Sequence, residues 1–385
     1  MNRHHNSVSM TGNGTNTNGE QQRFPIEVAS MFYTGLNEPK PTCMDFSLEG
    51  LSFISSHNDD ALRLIDVASL NHTETIQCEH FGIHSVRYTQ SESVVCVAPR
   101  LPLDGHLHLL NLETAQFFGE MAYLNELDSE IHPYPNTPVY STISQCPATD
   151  VLGAVVTTKG RLALFHPLIS GAIAASGEKA VIGSKVALSF SHDGNRIIIG
   201  DDRRINLFDR RVLFSTPIVS LENQKIFSSS PELARCKGAE HCIDQSHLLL
   251  TSSSGEVVVY NWKLDRIVCS YYHGDAKRHF VGSSDAIGAK YIHPNLRNSI
   301  IAQPTSSMVG GRHLLVYGGY EGNESGSIGE EEVIKGDFQS EMKSGLLRYE
   351  LQSKDSDVPI ALAVNPRYSL VVTAARSLTW WAFNE

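Results

Sequence analysis

The sequence predicts an all-β fold in which seven four-stranded units stand as the blades of one propeller. Two segments repeat one order of residues: Cys43-Met44-Asp45-Phe46-Ser47-Leu48-Glu49-Gly50 and Ala187-Leu188-Ser189-Phe190-Ser191-His192-Asp193-Gly194. Each is an alternating strand running into an acidic-Gly turn of the kind that closes a hairpin. Strand triplets recur along the chain, with third strands ending at 66, 111, 166, 209, 261, 317 and 383, in steps of 45, 55, 43, 52, 56 and 66 residues. No stretch sustains a 3.6-residue apolar period, so no long helix competes.

The elements follow in order. Phe24 to Phe32 reads as a spare strand ahead of the first unit. In the first unit the F-S-x-[ED]-G turn leads to Leu51–Ser55 and then Leu62–Asp66; in the fourth it leads to Arg196–Gly200 and Ile205–Asp209. Ile-Asp and Phe-Asp stand where Trp-Asp is common at the end of a third strand. Degenerate copies start at Val86, Val139, Leu248, Ala289 and Ala361. A period near 40–45 with loop insertions is that of a WD40-type propeller. The last unit stops at Glu385 with three strands, so pairing the N-terminal strand onto it closes the ring and removes an unpaired edge. One seven-bladed domain over 23–385 is the expected organisation.

Two segments fall outside the repeat. Residues 1–22 form a polar Asn/Gly/Thr-rich tract, expected as a disordered tail without a signal peptide. Gly319 to Gly345 carries seven acidic residues and two lysines, expected as an acidic loop inserted in the sixth blade.

Composition excludes several function classes. The chain has 385 residues, 41% hydrophobic and 19% charged, which is a globular balance. Its 42 Asp+Glu against 31 Lys+Arg give a formal net charge of −11, which argues against gripping nucleic acid through a broad basic surface. No apolar run approaches the roughly 20 residues of a membrane helix. The seven cysteines are scattered and odd in number, the usage of a reducing compartment inside the cell. There is no P-loop, G-x-G-x-x-G after a strand, G-x-S-x-G or H-E-x-x-H, so neither catalysis nor a cofactor is expected.

Basic clusters are few. Asp201-Asp202-Arg203-Arg204 falls in the turn between second and third strands of blade four, and Asp209-Arg210-Arg211 closes that third strand. Lys277-Arg278-His279 precedes blade six. Guanidinium groups take phosphate in bidentate fashion, so Arg203, Arg204, Arg210, Arg211, Lys277 and Arg278 are the candidate phosphopeptide or partner-binding residues. The competing expectation is local pairing, with Asp201 and Asp202 neutralising Arg203 and Arg204. His106-Leu107-His108 would share a strand face without an evident third metal ligand, and Cys236, His241 and Cys242 lack C-x-x-C pairing, so no metal is expected. Trp380 and Trp381 alternate across a strand and are expected in the core.

The order of residues resembles one family. Thr42-Cys43-Met44-Asp45-Phe46-Ser47 with Phe53-Ile54-Ser55-Ser56-His57-Asn58-Asp59-Asp60 is similar to the first blade of the WD repeat-containing protein 82 (Swd-two) family. Phe81-Gly82-Ile83-His84-Ser85-Val86-Arg87-Tyr88-Thr89 resembles its Y-G-V-x-x-I-R-Y-T signature, and Asn365-Pro366-Arg367-Tyr368 through Trp380-Trp381 resembles its C-terminus. Blade three departs most, with Leu164-Phe165-His166 where the family has a Trp-Asp strand end, and the long tail and acidic insert mark a divergent member.

The resemblance implies a nuclear, non-catalytic scaffold in complexes of protein phosphatase 1 with its nuclear targeting subunit or of the Set/COMPASS histone H3 methyltransferase. It further implies links to the phosphorylated RNA polymerase II tail and to transcription termination. Protein partners are expected, without direct nucleic acid or membrane. The alternative is a phosphoinositide-binding propeller of the autophagy type, although Phe208-Asp209-Arg210-Arg211-Val212 lacks the glycine of its Arg-Arg-Gly motif. A channel hydrolase would need convergent carboxylates or a metal cage on inner strands, and the turns show no such set.

Overall fold

The computed structural model describes residues 26–32, 39–78, 80–101, 105–122, 140–156, 160–176, 186–212, 216–227, 235–242, 245–253, 256–271, 290–291, 301–306, 312–317, 347–353, 361–374 and 378–383. The tail at 1–22, the acidic segment at 319–345, and Lys277 and Arg278 lie outside them.

Strand β1 (Ile26–Phe32) precedes the first sheet, which consists of β2 (Pro41–Phe46), β3 (Ser52–His57), β4 (Ala61–Asp66) and β5 (Asn71–Gln77). The second holds β6 (Ile83–Tyr88), β7 (Val94–Pro99), β8 (His106–Asn111) and β9 (Gln116–Ala122). The third holds β10 (Tyr140–Gln145), β11 (Leu152–Val156), β12 (Arg161–Phe165) and β13 (Ala172–Ala175). The fourth holds β14 (Ala187–Phe190), β15 (Arg196–Gly200), β16 (Arg204–Asp209) and β17 (Val219–Glu222), followed by the one-turn helix α1 (Asn223–Ile226).

The fifth sheet comprises β18 (Cys236–His241), β19 (His247–Ser252), β20 (Val257–Asn261) and β21 (Arg266–Tyr271). In the sixth are β22 (Lys290–Tyr291), β23 (Ile301–Ser306), β24 (Arg312–Tyr317) and β25 (Leu347–Ser353). Strands β26 (Ala361–Val364), β27 (Leu370–Ala374) and β28 (Leu378–Phe383) form the last group. The described strands thus make seven antiparallel four-stranded sheets, and β1 pairs antiparallel with β28 as the fourth strand of the last.

The middle strands β11, β20 and β27 are buried along their whole length. The core lies between neighbouring sheets as separate layers, the sandwich arrangement of stacked faces. One layer joins Met44, Phe46 and Phe53 of the first sheet to Ala363, Val372 and Trp380 of the last. Others join the first to the second, the second to the third, the third to the fourth, and the fourth to the fifth.

The repeated turn now has a physical account. In both copies the serine hydroxyl accepts a backbone N–H five residues on: Ser52 N donates to Ser47 Oγ, and Arg196 N to Ser191 Oγ. Gly50 (φ 72°) and Gly194 (φ 68°) sit in the left-handed region that favours glycine. A Cβ on Gly50 would stand 2.3 Å from Asn365 Oδ1, and one on Gly194 would stand 2.7 Å from Cys146 Sγ. The motif is therefore where one sheet's turn presses on its neighbour.

In the first, second, fourth and fifth sheets the acidic or amide residue ending the third strand caps the turn that follows. Asp66 accepts Ser69 N, Asn111 accepts Glu113 N and Thr114 N, Asp209 accepts Arg211 N, and Asn261 accepts Lys263 N and Leu264 N. In the degenerate third unit His166 does the same through Nδ1, accepting Leu168 N at 3.2 Å.

Candidate functional site

The turn from β15 to β16 is pinned from four directions. Asp201 is buried, and its Oδ1 accepts the backbone N–H of Arg203 at 2.8 Å and of Arg204 at 2.7 Å. Asp201 N donates to Arg204 O, closing the loop, and Asp201 O accepts Cys236 N of the next sheet. The buried Asn223 holds the other side: its Nδ2 donates to Asp201 O and its N to Arg203 O, both at 2.9 Å. A turn held by this many bonds presents its side chains from a fixed frame.

The expected local pairing does not occur. Asp201 uses its carboxylate on main-chain amides, and Asp202 leans toward Arg235 of the fifth sheet, at 4.0 Å. Arg203 and Arg204 are both exposed, and neither guanidinium has a hydrogen-bonded or ionic partner among the described residues. Arg235 is itself mostly exposed, and its backbone is fixed by Ser253, whose Oγ accepts Arg235 N and whose N donates to Arg235 O. Through Asp202 the fifth sheet thus brings a third arginine to the turn that carries Arg203 and Arg204. Sequence reasoning missed Arg235, whose only signal is that it directly precedes a strand.

Arg210 and Arg211 stand elsewhere. Strand β16 separates them from Arg204, and at about 3.4 Å per residue its two ends lie about 17 Å apart. Arg211 forks onto Asp209, with Nε at 3.0 Å and Nη2 at 2.7 Å, and this guanidinium holds the Asp209 carboxyl down to about 2. Arg210 reaches back to the third sheet, where Nη1 donates to Thr149 Oγ1 at 2.8 Å. That bond belongs to a girdle joining successive sheets at this end. Asn365 donates to Gly50 O, Ser47 to Glu92, Gln90 to the Cys146 and Pro147 carbonyls, and Arg196 to Gln245. Arg210 and Arg211 therefore have structural partners, and the two arginine pairs do not form one site.

The remaining candidates resolve as follows. His106 and His108 both approach Glu120, at 3.7 Å each, and His108 stacks on Phe81 at 4.2 Å. Among the described residues no group of three or more His, Cys, Asp or Glu could hold a metal ion. Cys236, His241 and Cys242 are buried, and burial pushes the Cys236 thiol up to about 12. Trp380 packs edge-on against Phe46 and Phe53, and Trp381 donates its indole N–H to Thr373 Oγ1. Facing inner strands also hold a charged pair that sequence reasoning passed over. Asp45 accepts Tyr88 N beside Arg87, and burial pushes its carboxyl above the usual range despite that guanidinium.

No protein-family model matches the chain, and no curated protein matches it. Among solved structures, a WD40 propeller chain in the crystal structure of the mitotic checkpoint complex is similar over 100% of both chains, with a TM-score of 0.64 at 14% identity. At that identity the likeness shows the fold alone: the chain is an all-β β-propeller.

Proposed function

We propose that the chain is a seven-bladed ring, closed by β1, that serves as a non-catalytic scaffold in a nuclear transcription or chromatin assembly. Its phosphatase-targeting and methyltransferase partners are those of the WD repeat-containing protein 82 family, whose tracts the sequence resembles. WD40 propellers are in general interaction platforms, which supports the coarser part of this reading. The site is the turn bearing Arg203 and Arg204, extended by Arg235, and its ligand is a phosphorylated segment of a partner. Lys277 and Arg278 are proposed as further phosphate contacts.

The observation that carries the site is the use of the Asp201 carboxylate on two backbone amides, which leaves two exposed guanidiniums on a rigid turn. Phosphate bound by arginine forks gains charge-assisted hydrogen bonds, each roughly twice as strong as a neutral one.

Two measurements test the proposal. Affinity purification from nuclear extract is expected to recover a phosphatase or methyltransferase subunit, and recovery of neither overturns the named complexes. Peptides of the RNA polymerase II C-terminal repeats, with and without serine phosphate, are titrated against the protein. The phosphorylated form is expected to bind tighter, and Arg203→Ala with Arg204→Ala to weaken it by about tenfold or more, the loss of one charged hydrogen bond. Equal binding of both forms would falsify the phosphate site.

A further inference from the structure

We infer that the outer edge of β13 is a docking surface for an extended, apolar segment of a partner protein, which adds to the third sheet as a fifth strand. Outer strands of stacked sheets present unpaired main-chain groups and are ordinarily guarded by charge. Among the outer strands whose side chains are described, β5 carries Glu74, β9 Glu120, β17 Glu222 and β21 Arg266. Strand β13 has no such guard. From Pro167 to Gly177 the sequence PLISGAIAASG carries no charge at all.

The main chain of β13 is oriented to receive a partner. Among the described residues it pairs only with β12. Ser176 N donates to Leu162 O, so by antiparallel alternation the N–H and C=O of Ala174 face β12 and those of Ala175 face outward, while Ile173 is the extra residue where the register with β12 shifts. The start of the strand is anchored, because Ala122 N donates to Ser170 O and Ala122 bridges Gly171. Beside this edge the surface is apolar: Leu168 is 88% exposed, Ile169 48% and Ile173 43%.

These features select the occupant. Outward main-chain groups call for an extended strand, and the uncharged flank calls for apolar residues at alternate positions, the mode of strand addition. A second copy is the poorer fit. Four residues span about 13 Å, and a stable dimer buries roughly 800 Å² on each partner, far more than such an edge offers. The inference is independent of the arginine turn.

The test pans a short-peptide display library against the full chain and measures the affinity of enriched sequences for two variants. Ala175→Pro removes an outward donor without touching a bond to β12, and Ile173→Lys supplies the missing guard charge; unchanged thermal melting confirms that both fold. Enriched peptides are expected to alternate apolar residues and to lose affinity by about tenfold in each variant, the equivalent of one main-chain hydrogen bond. Binding unaffected by both variants, or no enrichment, overturns the inference. So does sedimentation showing a dimer that Ile173→Lys dissolves, which would assign the edge to a second copy.

Discussion

Gly50 and Asn365 are 315 residues apart in sequence and in direct contact across the first and last sheets. Asn365 is buried and makes three bonds: Nδ2 donates to Gly50 O at 2.8 Å, and Oδ1 accepts Arg367 N and Tyr368 N at 2.9 Å each. A methyl group at Gly50 meets two obstacles. Its backbone φ of 72° costs about 1–2 kcal/mol for any L side chain. Its Cβ would also lie 2.3 Å from Asn365 Oδ1, which forces the amide aside and forfeits bonds worth about 1 kcal/mol each.

Gly50→Ala should therefore cost roughly 3–5 kcal/mol, and Asn365→Ala roughly 3 kcal/mol. In the double variant the clash has no partner, so only the backbone cost of the Gly50→Ala change adds to the loss of Asn365. The cycle should show about 2 kcal/mol less destabilisation than the sum of the single variants. Urea unfolding of the four proteins, compared at equal slope, measures it. Additivity within about 0.5 kcal/mol would mean that the turn and the amide do not touch, and the account of this glycine would be wrong.

Further outcomes follow from other buried groups. His57 and His241 are buried, and burial, aided by Arg63 and Arg196 respectively, pushes each imidazole down to about 4. Between about pH 6.5 and 4 the folded state then binds fewer protons than the unfolded one, so stability is full above pH 6.5 and falls on acidification by roughly 3 kcal/mol for each histidine. Among the described residues neither ring nitrogen of His241 has a hydrogen-bond partner, so His241→Leu should halve the acid limb of a stability-against-pH curve; an unchanged limb contradicts this. Burial pushes the Cys78, Cys96 and Cys236 thiols up to about 12, while Cys43 is half-buried. A maleimide pulse on the native protein should modify Cys43 before these three, and mass spectrometry showing Cys96 first would refute it. Trp380→Leu should cost roughly 2–4 kcal/mol by opening space beside Phe46 and Phe53, and a variant melting like the parent would show that the layer between first and last sheets contributes little.

The parts of the fold legible in the sequence are those where one residue type serves one local geometry. Gly50 and Gly194 were readable because a left-handed turn beside a neighbouring sheet admits little else. Asp66 and Asp209 were readable as strand ends because a short carboxylate reaches the amides of the next turn. The third unit looked degenerate for the complementary reason. His166 fills the capping role with a ring nitrogen, a substitution that preserves the bond and erases the letter.

The site was half legible, and the missing half is a question of direction. Asp-Asp-Arg-Arg is equally compatible with ion pairs between side chains and with a carboxylate turned inward onto the Arg203 and Arg204 amides, and composition alone does not separate the two. What separates them is the fifth sheet, whose Cys236 amide takes the Asp201 carbonyl and so draws the turn inward. The same packing brings up Arg235, 31 residues beyond Arg204 in the chain. Strand β16 does the opposite to Arg210 and Arg211. Four arginines crowded into nine residues look like one basic patch, yet an extended strand sets the pairs about 17 Å apart, beyond the reach of a single phosphate. The distant pair meets Asp209 and Thr149, and the near pair meets no partner among the described residues, so the exposed positive charge gathers at one end of the strand.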